Sequence, residues 1–408
     1  MNIFRQKRIT TILDRLIFYS ILIMTFFLAL EPMIATAGLL AGMLLYIIKI
    51  CILHGVRFRR TLFDIPIGVF LLFGILSVPM SPDSGFSFYN FYNLAGRYVL
   101  TYVLVIQNVT AVSQIKKIVC ALGASAVIVV LYGFYQYIFG VDISTMKWVD
   151  GNAFPELKTR VFSTWVNPNI LACYLDIALC IVFGFFVMMR QKRTRCILAG
   201  GFILLAICLA MTYARGACLS IAIVLAGYGL FRDRRILFGC IALAAVLLFI
   251  DTTLAERLAS VFTKIDTSSE MRLALWESTI AMIIDHPLLG IGWGAYWMVY
   301  PDYDFYINNA AVRIVHAHNM YLNYAAEIGL VGAGGFFWYF FGTMWLALSS
   351  RYLRESAFLN GLLLGLGLAV LSIAFNGLTD YVLFNIPSSM LFWLLAAMIV
   401  LIEKNMVN

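Results

Sequence analysis

The sequence predicts an all-α integral membrane protein with about twelve transmembrane helices. Of its 408 residues, 62% are hydrophobic and only 12% are charged, and the mean hydropathy is +0.91. A soluble domain carries about 25% charged residues, so lipid must cover most of this chain. Because about 20 apolar residues cross a bilayer, a dozen spans and their loops account for residues 1–408 as one membrane domain.

Apolar runs between polar or basic segments mark the predicted spans. They lie near 16–30, 33–53, 63–80, 97–109, 115–139, 168–189, 196–213, 216–231, 236–251, 320–349, 357–378 and 382–402. A long polar loop at 252–319 follows the ninth span, and a shorter one covers 140–167. In the long loop, Leu273, Trp276 and Ile280 share one helical face, which predicts a helix lying at the membrane interface.

Lysine and arginine set the predicted orientation. Twenty of the 29 fall in one set of alternate segments, and nine fall on the opposite side. Cytoplasmic loops carry the excess of these residues, so both termini are expected in the cytoplasm. The net charge of +8 is therefore interpreted as a topology signal, and no nucleic-acid partner is predicted.

The few basic residues on the arginine-poor outer side are the candidate site. Arg215 lies in a tight connection between two apolar runs, Arg272 opens the predicted interfacial helix, and Arg160 precedes Asn167-Pro168-Asn169 at the mouth of a span. Arginine forks bind phosphate oxygens bidentately, so several together suit a lipid pyrophosphate. His318, at the start of the tenth span, can take a proton near neutral pH. The competing interpretation is that such arginines extend to lipid headgroups and the histidine is merely solvated.

Other carboxylates are weaker candidates. Asp302 and Asp304 form a D-x-D pair, which holds a divalent metal in some glycosyltransferases, but the pair is common by chance. It is interpreted as a solvated loop that contacts sugar at most, and no metal site is predicted. Asp176 and Glu327 lie in or near spans, where ionisable residues are functional candidates by default.

Three stretches of the chain resemble the O-antigen ligase and O-antigen polymerase superfamily, and Asn167-Pro168-Asn169 is a weaker fourth match. Ala214 stands where many members of the superfamily have serine. The three stretches are Tyr213-Ala214-Arg215-Gly216-Ala217; Arg272-Leu273-Ala274-Leu275-Trp276 followed by the segment from His286 to Gly294; and His318-Asn319-Met320-Tyr321-Leu322 followed by the segment from Glu327 to Gly332.

The resemblance implies a glycosyltransferase of the bacterial inner membrane that works on the periplasmic face without metal or cofactor. It would move a preassembled glycan from undecaprenyl pyrophosphate to an acceptor hydroxyl. Arg215 and Arg272, with Arg160, would bind the pyrophosphate, and His318 would activate the acceptor. The expected contacts to glycan or acceptor are Asn319, Tyr213, Asn169 and Trp276.

Several functions stay open at the level of sequence. A ligase that uses lipid A–core as acceptor, in lipopolysaccharide assembly, is favoured over an O-antigen polymerase or a ligase for another surface glycan. A polysaccharide or lipid transporter is a different class, but transporters carry inverted repeats and midplane charges, whereas the ionisable residues here gather at one face. A non-catalytic scaffold is the third class, and it should tolerate loss of the arginines and the histidine.

Overall fold

The computed structural model describes residues 3–53, 58–141, 160–250, 255, 267–305, 314–350 and 356–407, and these contain helices but no strand. Much of both long polar loops lies outside the described residues, including Lys147, Lys158, Arg257, Lys264 and Arg313. The longer helices are α1 Ile3–Phe27, α2 Pro32–Ile52, α3 Asp64–Ser77, α4 Gly96–Asn108, α5 Val112–Phe139, α6 Pro168–Met188, α7 Lys192–Ala210, α8 Arg215–Phe231, α9 Arg234–Ile250, α10 Thr267–Asp285, α11 Met320–Ser349, α12 Ala357–Asn376 and α13 Ile386–Val407.

Each predicted span coincides with one helix, α1 to α9 and then α11 to α13. Eight helices in the described part are long and apolar enough to cross a membrane, and α3 and α8 are shorter apolar helices. The helices α4 and α9 are in neither group. The all-α polytopic membrane fold is therefore confirmed.

The fourth span is longer than its apolar run indicates. A helical turn at Ser84–Asn90 and a π-helical turn at Phe91–Ala95 lead directly into α4. Asp83 caps this extension by accepting the backbone N–H of Phe86 at 2.9 Å. Serine and asparagine side chains in the extension interrupt the apolar pattern, so hydropathy detects only the last half of a continuous helix.

The predicted interfacial helix forms as α10. Leu275 and Met282 are fully buried against the rest of the protein. The opposite face leaves Leu273, Ile280 and Ile284 exposed. Such an apolar face outside the protein core is what a helix at a membrane interface requires.

Helices α6 and α12 pack in very close contact. A Cβ atom on Gly184 would lie 2.5 Å from the backbone nitrogen of Gly365, so only glycine fits at this crossing. Gly361 and Gly365 on α12 have the G-x-x-x-G spacing that lets helix backbones approach in a membrane. This contact brings the start of α6 beside the end of α12.

Aromatic side chains fill the space between α3, α4, α11 and α13. The rings of Tyr339 and Trp393 are 4.5 Å apart, and Tyr102 lies 5.7 Å from Tyr339. Phe70 is fully buried 5.4 Å from Phe336. This core holds α11 rigidly, so the residues at its start have a fixed position.

Helix α11 is broken at Gly329, where φ is +72°. The segment 287–294, here called the plug segment, packs into the break. The N–H of Leu330 donates to this segment at 2.8 Å, and the N–H of Gly294 donates to Oε2 of Glu327 at 3.1 Å. Polar backbone freed inside a membrane helix needs such partners. The plug segment also fixes α10 against α11, which gives Glu327 a structural role.

Candidate functional site

Three helices begin beside the connection 377–385 between α12 and α13. At the start of α11, the N–H of Met320 donates to the carbonyl of Gly377 at 2.8 Å. At the start of α8, a Cβ atom on Gly216 would lie 2.8 Å from Oγ1 of Thr379. Helix α6 reaches the same connection through its first turn. Helix N-termini carry partial positive charge, so their convergence favours an anion at this end of the molecule.

The carboxylate of Asp380 is the centre of the site. Its Oδ1 stands 3.3 Å from Nδ1 of His318 and accepts the N–H of Tyr381 at 2.8 Å. Its Oδ2 accepts a hydrogen bond from Nδ2 of Asn169 at 3.2 Å. Nη2 of Arg160 in turn donates to Oδ1 of Asn169 at 3.1 Å. One carboxylate therefore connects the histidine with the predicted phosphate-binding side. We call the following residues the polar junction: Arg160, Asn169, His316, His318 and Asp380.

Arg160 also fixes the turn that leads into α8. Its Nε donates to the carbonyl oxygen of Thr212 at 2.9 Å. Thr212 and Tyr213 are buried, and Arg215, the first residue of α8, is half-buried. The structure thus brings Tyr213 and Arg215 beside the polar junction through this turn.

The electrostatics of the junction are strongly perturbed. Burial raises the pKa of Asp380, but the hydrogen bond and charge of His318 and the charge of Arg272 outweigh burial, so its pKa lies well below the usual range. Asp380 is therefore ionised at neutral pH, and Arg272 is close enough for its charge to act on it. Burial and the neighbouring His318 lower the pKa of His316 to about 3, so that imidazole is neutral.

Backbone strain marks the same place. Among the described residues, the non-glycine residues with positive φ are Ser163, Val166, Tyr213 and His318. Val166 (φ +61°) precedes α6, Tyr213 (+52°) precedes α8, and His318 (+49°) precedes α11. Such conformations cost about 1–3 kcal/mol each and cluster at active sites and ligand clamps. All three helix starts at the junction therefore carry a strained residue.

Two further predicted residues have well-defined surroundings. Oδ1 of Asn319 accepts two N–H groups of the first turn of α11, at 2.9 and 3.1 Å, and its Nδ2 donates to the carbonyl of Leu378 at 3.2 Å. Asn319 is thus the cap of α11. Trp276 lies one turn beyond Arg272 on α10, and its Nε1 is buried without a hydrogen-bond partner in the part of the chain that the structure describes. Their contacts to glycan or acceptor stay predictions.

The D-x-D pair lies apart from these contacts. Asp302 is exposed, and Asp304 accepts a hydrogen bond from the hydroxyl of Tyr300 at 3.0 Å. The described cluster of metal-ligating side chains is instead His316, His318 and Asp380. Whether the D-x-D pair contacts sugar stays a prediction.

Sequence reasoning missed Asp380 and gave His316 no role. The signal for Asp380 was available, because Thr379-Asp380-Tyr381 separates the last two predicted spans on the outer side. A carboxylate beside a span is a functional candidate by default. That rule selected Asp176, which bonds to Ser372 and Asn376 between α6 and α12, and Glu327 at the break in α11.

A comparison with known families supports the resemblance predicted from the sequence. Residues 200–337 match the family model described as O-antigen ligase. No curated protein matches the chain significantly. Arg160, Asn169 and Asp380 lie outside the matched segment, which contains the predicted site residues Tyr213, Arg215, Arg272, Trp276, His318 and Asn319. The match over 200–337 confirms the resemblance to the O-antigen ligase and O-antigen polymerase superfamily that the three motifs predict.

Proposed function

We propose that this protein transfers a preassembled glycan from undecaprenyl pyrophosphate to an acceptor hydroxyl, as an O-antigen ligase whose acceptor is lipid A–core. The observation that carries the proposal is the pairing of His318 with Asp380 at 3.3 Å, under the charge of Arg272, where three helix N-termini meet. This arrangement combines a proton acceptor with a field that attracts phosphate.

His318 is the general base in this proposal. When its Nδ1–H donates to Asp380, its Nε2 carries the lone pair. The acceptor oxygen attacks the anomeric carbon, its proton passes to Nε2, and the bond from that carbon to the pyrophosphate oxygen breaks with the electron pair leaving on the pyrophosphate. The configuration at the anomeric carbon inverts. Asp380 orients the imidazole and stabilises the imidazolium that forms, as a carboxylate does in hydrolase triads.

The arginines stabilise the leaving group. The pyrophosphate gains negative charge as the bond breaks, and a guanidinium fixed nearby stabilises that charge more in the transition state than before it. Arg215 and Arg272 carry this role in the proposal, supported by the helix N-termini. Arg160 joins them at the phosphate side, while its bonds to Thr212 and Asn169 also hold α8 and α6 in place. The sugar–pyrophosphate bond is already activated, so the reaction needs no nucleotide, metal or cofactor.

The proposed setting is the bacterial inner membrane, with both termini in the cytoplasm and the polar junction on the periplasmic face. The donor would reach it from the lipid and the acceptor from the periplasm.

An assay with a purified donor that carries a single glycan unit distinguishes a ligase from a polymerase. Capture of its glycan by lipid A–core supports the ligase, whereas lengthening of the lipid-linked chain supports a polymerase.

The test is glycan transfer by purified protein with single substitutions. Arg215→Ala and Arg272→Ala should each lower the rate by roughly 100- to 1000-fold, the effect of removing one donor to a developing charge. His318→Ala should lower it by roughly 100- to 10,000-fold, the effect of losing a general base. Arg97→Ala is the matched control, because its guanidinium bonds to Asn93 within its own helical segment at 2.6 Å. Normal transfer by His318→Ala would refute the base assignment, and normal transfer by both site-arginine variants would refute the pyrophosphate site.

A further inference from the structure

We propose that His316, His318 and Asp380 bind a divalent transition metal of the zinc class, and that this metal inhibits transfer. Each residue offers one ligand atom, and the three atoms lie within 4.8 Å of one another. Two imidazoles and one carboxylate are a zinc donor set that leaves a fourth position open.

The spacing suits a tetrahedral ion. The separation of Nδ1 of His318 and Oδ1 of Asp380 is 3.3 Å, which is long for a hydrogen bond. It equals the separation of about 3.3 Å between two ligands that each lie about 2.0–2.1 Å from a tetrahedral zinc. The three ligand atoms lie at most 4.8 Å apart, so a shift of about 1.5 Å brings even the most distant pair to that spacing.

The surroundings already hold the ligands in place. The ring of His316 packs 4.8 Å from that of Phe384 and 4.3 Å from that of His318. Asn169 donates to the second oxygen of Asp380 at 3.2 Å. Outer contacts of this kind orient the ligands in metal sites.

Inhibition follows from the tautomers of His318, and this step rests on the proposed function. A metal on Nε2 occupies the lone pair that would accept the proton. A metal on Nδ1 displaces the Nδ1 proton, and the neutral ring then carries its proton on Nε2, which no longer accepts one. Either mode of binding removes the base.

Co²⁺ absorption tests the binding step on the full chain in lipid nanodiscs. Wild-type protein should give the intense visible bands of tetrahedral Co²⁺, and Zn²⁺ should abolish them. His316→Gln and Asp380→Asn should each weaken Co²⁺ affinity at least tenfold, and thermal unfolding in EDTA verifies that both are folded. The control is His286→Gln, at the exposed end of α10, which should bind like wild type. Absence of the bands in wild type, or unchanged affinity in both folded site variants, would overturn the metal site.

Transfer assays separate this proposal from the enzyme assignment. Zn²⁺ should inhibit wild-type transfer in step with the occupancy measured by Co²⁺ displacement, and EDTA should restore it. If metal binds with tetrahedral bands but transfer continues, the inhibition and the base role of His318 are wrong while the site stands. If wild type transfers glycan but gives no bands, the metal site is wrong while the proposed function stands.

Discussion

Replacing Asp380 by asparagine tests the architecture of the site most directly. The change keeps the size of the side chain but removes the negative charge between His318 and Asn169. The new amide must present its NH₂ group either to Nδ2 of Asn169, which is also a donor, or to Nδ1 of His318. In the first orientation the hydrogen bond to Asn169 is lost. In the second, Nδ1 of His318 must accept from the amide, which places the imidazole proton on Nε2 and removes the base.

The size of the effect follows from the bond that is weakened. A hydrogen bond to a charged group contributes about 1.5–3 kcal/mol. In the proposed mechanism, Asp380 stabilises the imidazolium of His318 only once the acceptor proton has moved, so most of this contribution is to the transition state. We therefore expect kcat to fall roughly 10- to 150-fold, since 1.36 kcal/mol is a factor of ten in rate. The KM for the lipid-linked donor should change little.

The assay is steady-state transfer with purified donor and acceptor. The low pKa of Asp380 keeps it ionised above the usual carboxyl range, and the stability that its charge gives is lost only as the pH falls through that depressed pKa. A rate change between pH 6 and 8 therefore cannot come from Asp380 itself. Asp302→Asn, in an exposed turn, is the control and should be unaffected. A folded Asp380→Asn enzyme with wild-type kcat would refute the pairing of His318 with Asp380 as a catalytic device.

Three other predictions follow from the described contacts. In EDTA, the free energy of unfolding of wild-type protein should fall by up to about 1.4 kcal/mol per pH unit below pH 6.5, because His316 binds a proton in the unfolded chain but stays neutral when buried. Thermal unfolding of His316→Gln should lack this pH dependence. Gly329→Ala should lower the melting temperature sharply, because its methyl group would overlap the plug segment at a positive φ, whereas Gly334→Ala on the same helix, with open space around it, should not. Arg160→Ala should lower kcat about tenfold by releasing Asn169, and a loss confined to the donor KM would instead favour a purely direct phosphate contact.

The sequence predicts the helices well because a membrane makes their chemistry simple. Long apolar runs and basic loops predict the twelve helices in order. Arg215 and Arg272 are unusual because they lie on the predicted outer side, where lysine and arginine are few. The extension Ser84–Asn90 was missed because its polar side chains hide a helix from hydropathy. Periodicity still identified α10, since its exposed apolar face follows the helical repeat.

The site is harder to predict because it depends on which helices are neighbours. Hydropathy assigns residues to one end of the molecule but does not pair α6 with α12. That pairing depends on Gly184 fitting against Gly365, and it brings Asp176 to Asn376 across 200 positions of the chain. Only then does Asn169, at the start of α6, reach Asp380 beyond the end of α12. The histidine and arginines could therefore be named from the sequence, whereas the hydrogen bonds that connect them through Asp380 could not.

That carboxylate resolves an electrostatic conflict in the proposed chemistry. Arginines and helix N-termini that attract a pyrophosphate also oppose the positive charge that a histidine base acquires. An anion next to the base offsets this opposition locally without occupying the phosphate side. Asp380 has this arrangement, because one oxygen faces His318 and the other is bound by Asn169, which Arg160 holds. Donor binding and acceptor activation are then mechanically linked through one side chain. Such an anion assists a site that binds lipid pyrophosphate and also removes a proton, whereas a site that only anchors lipid headgroups gains nothing from it.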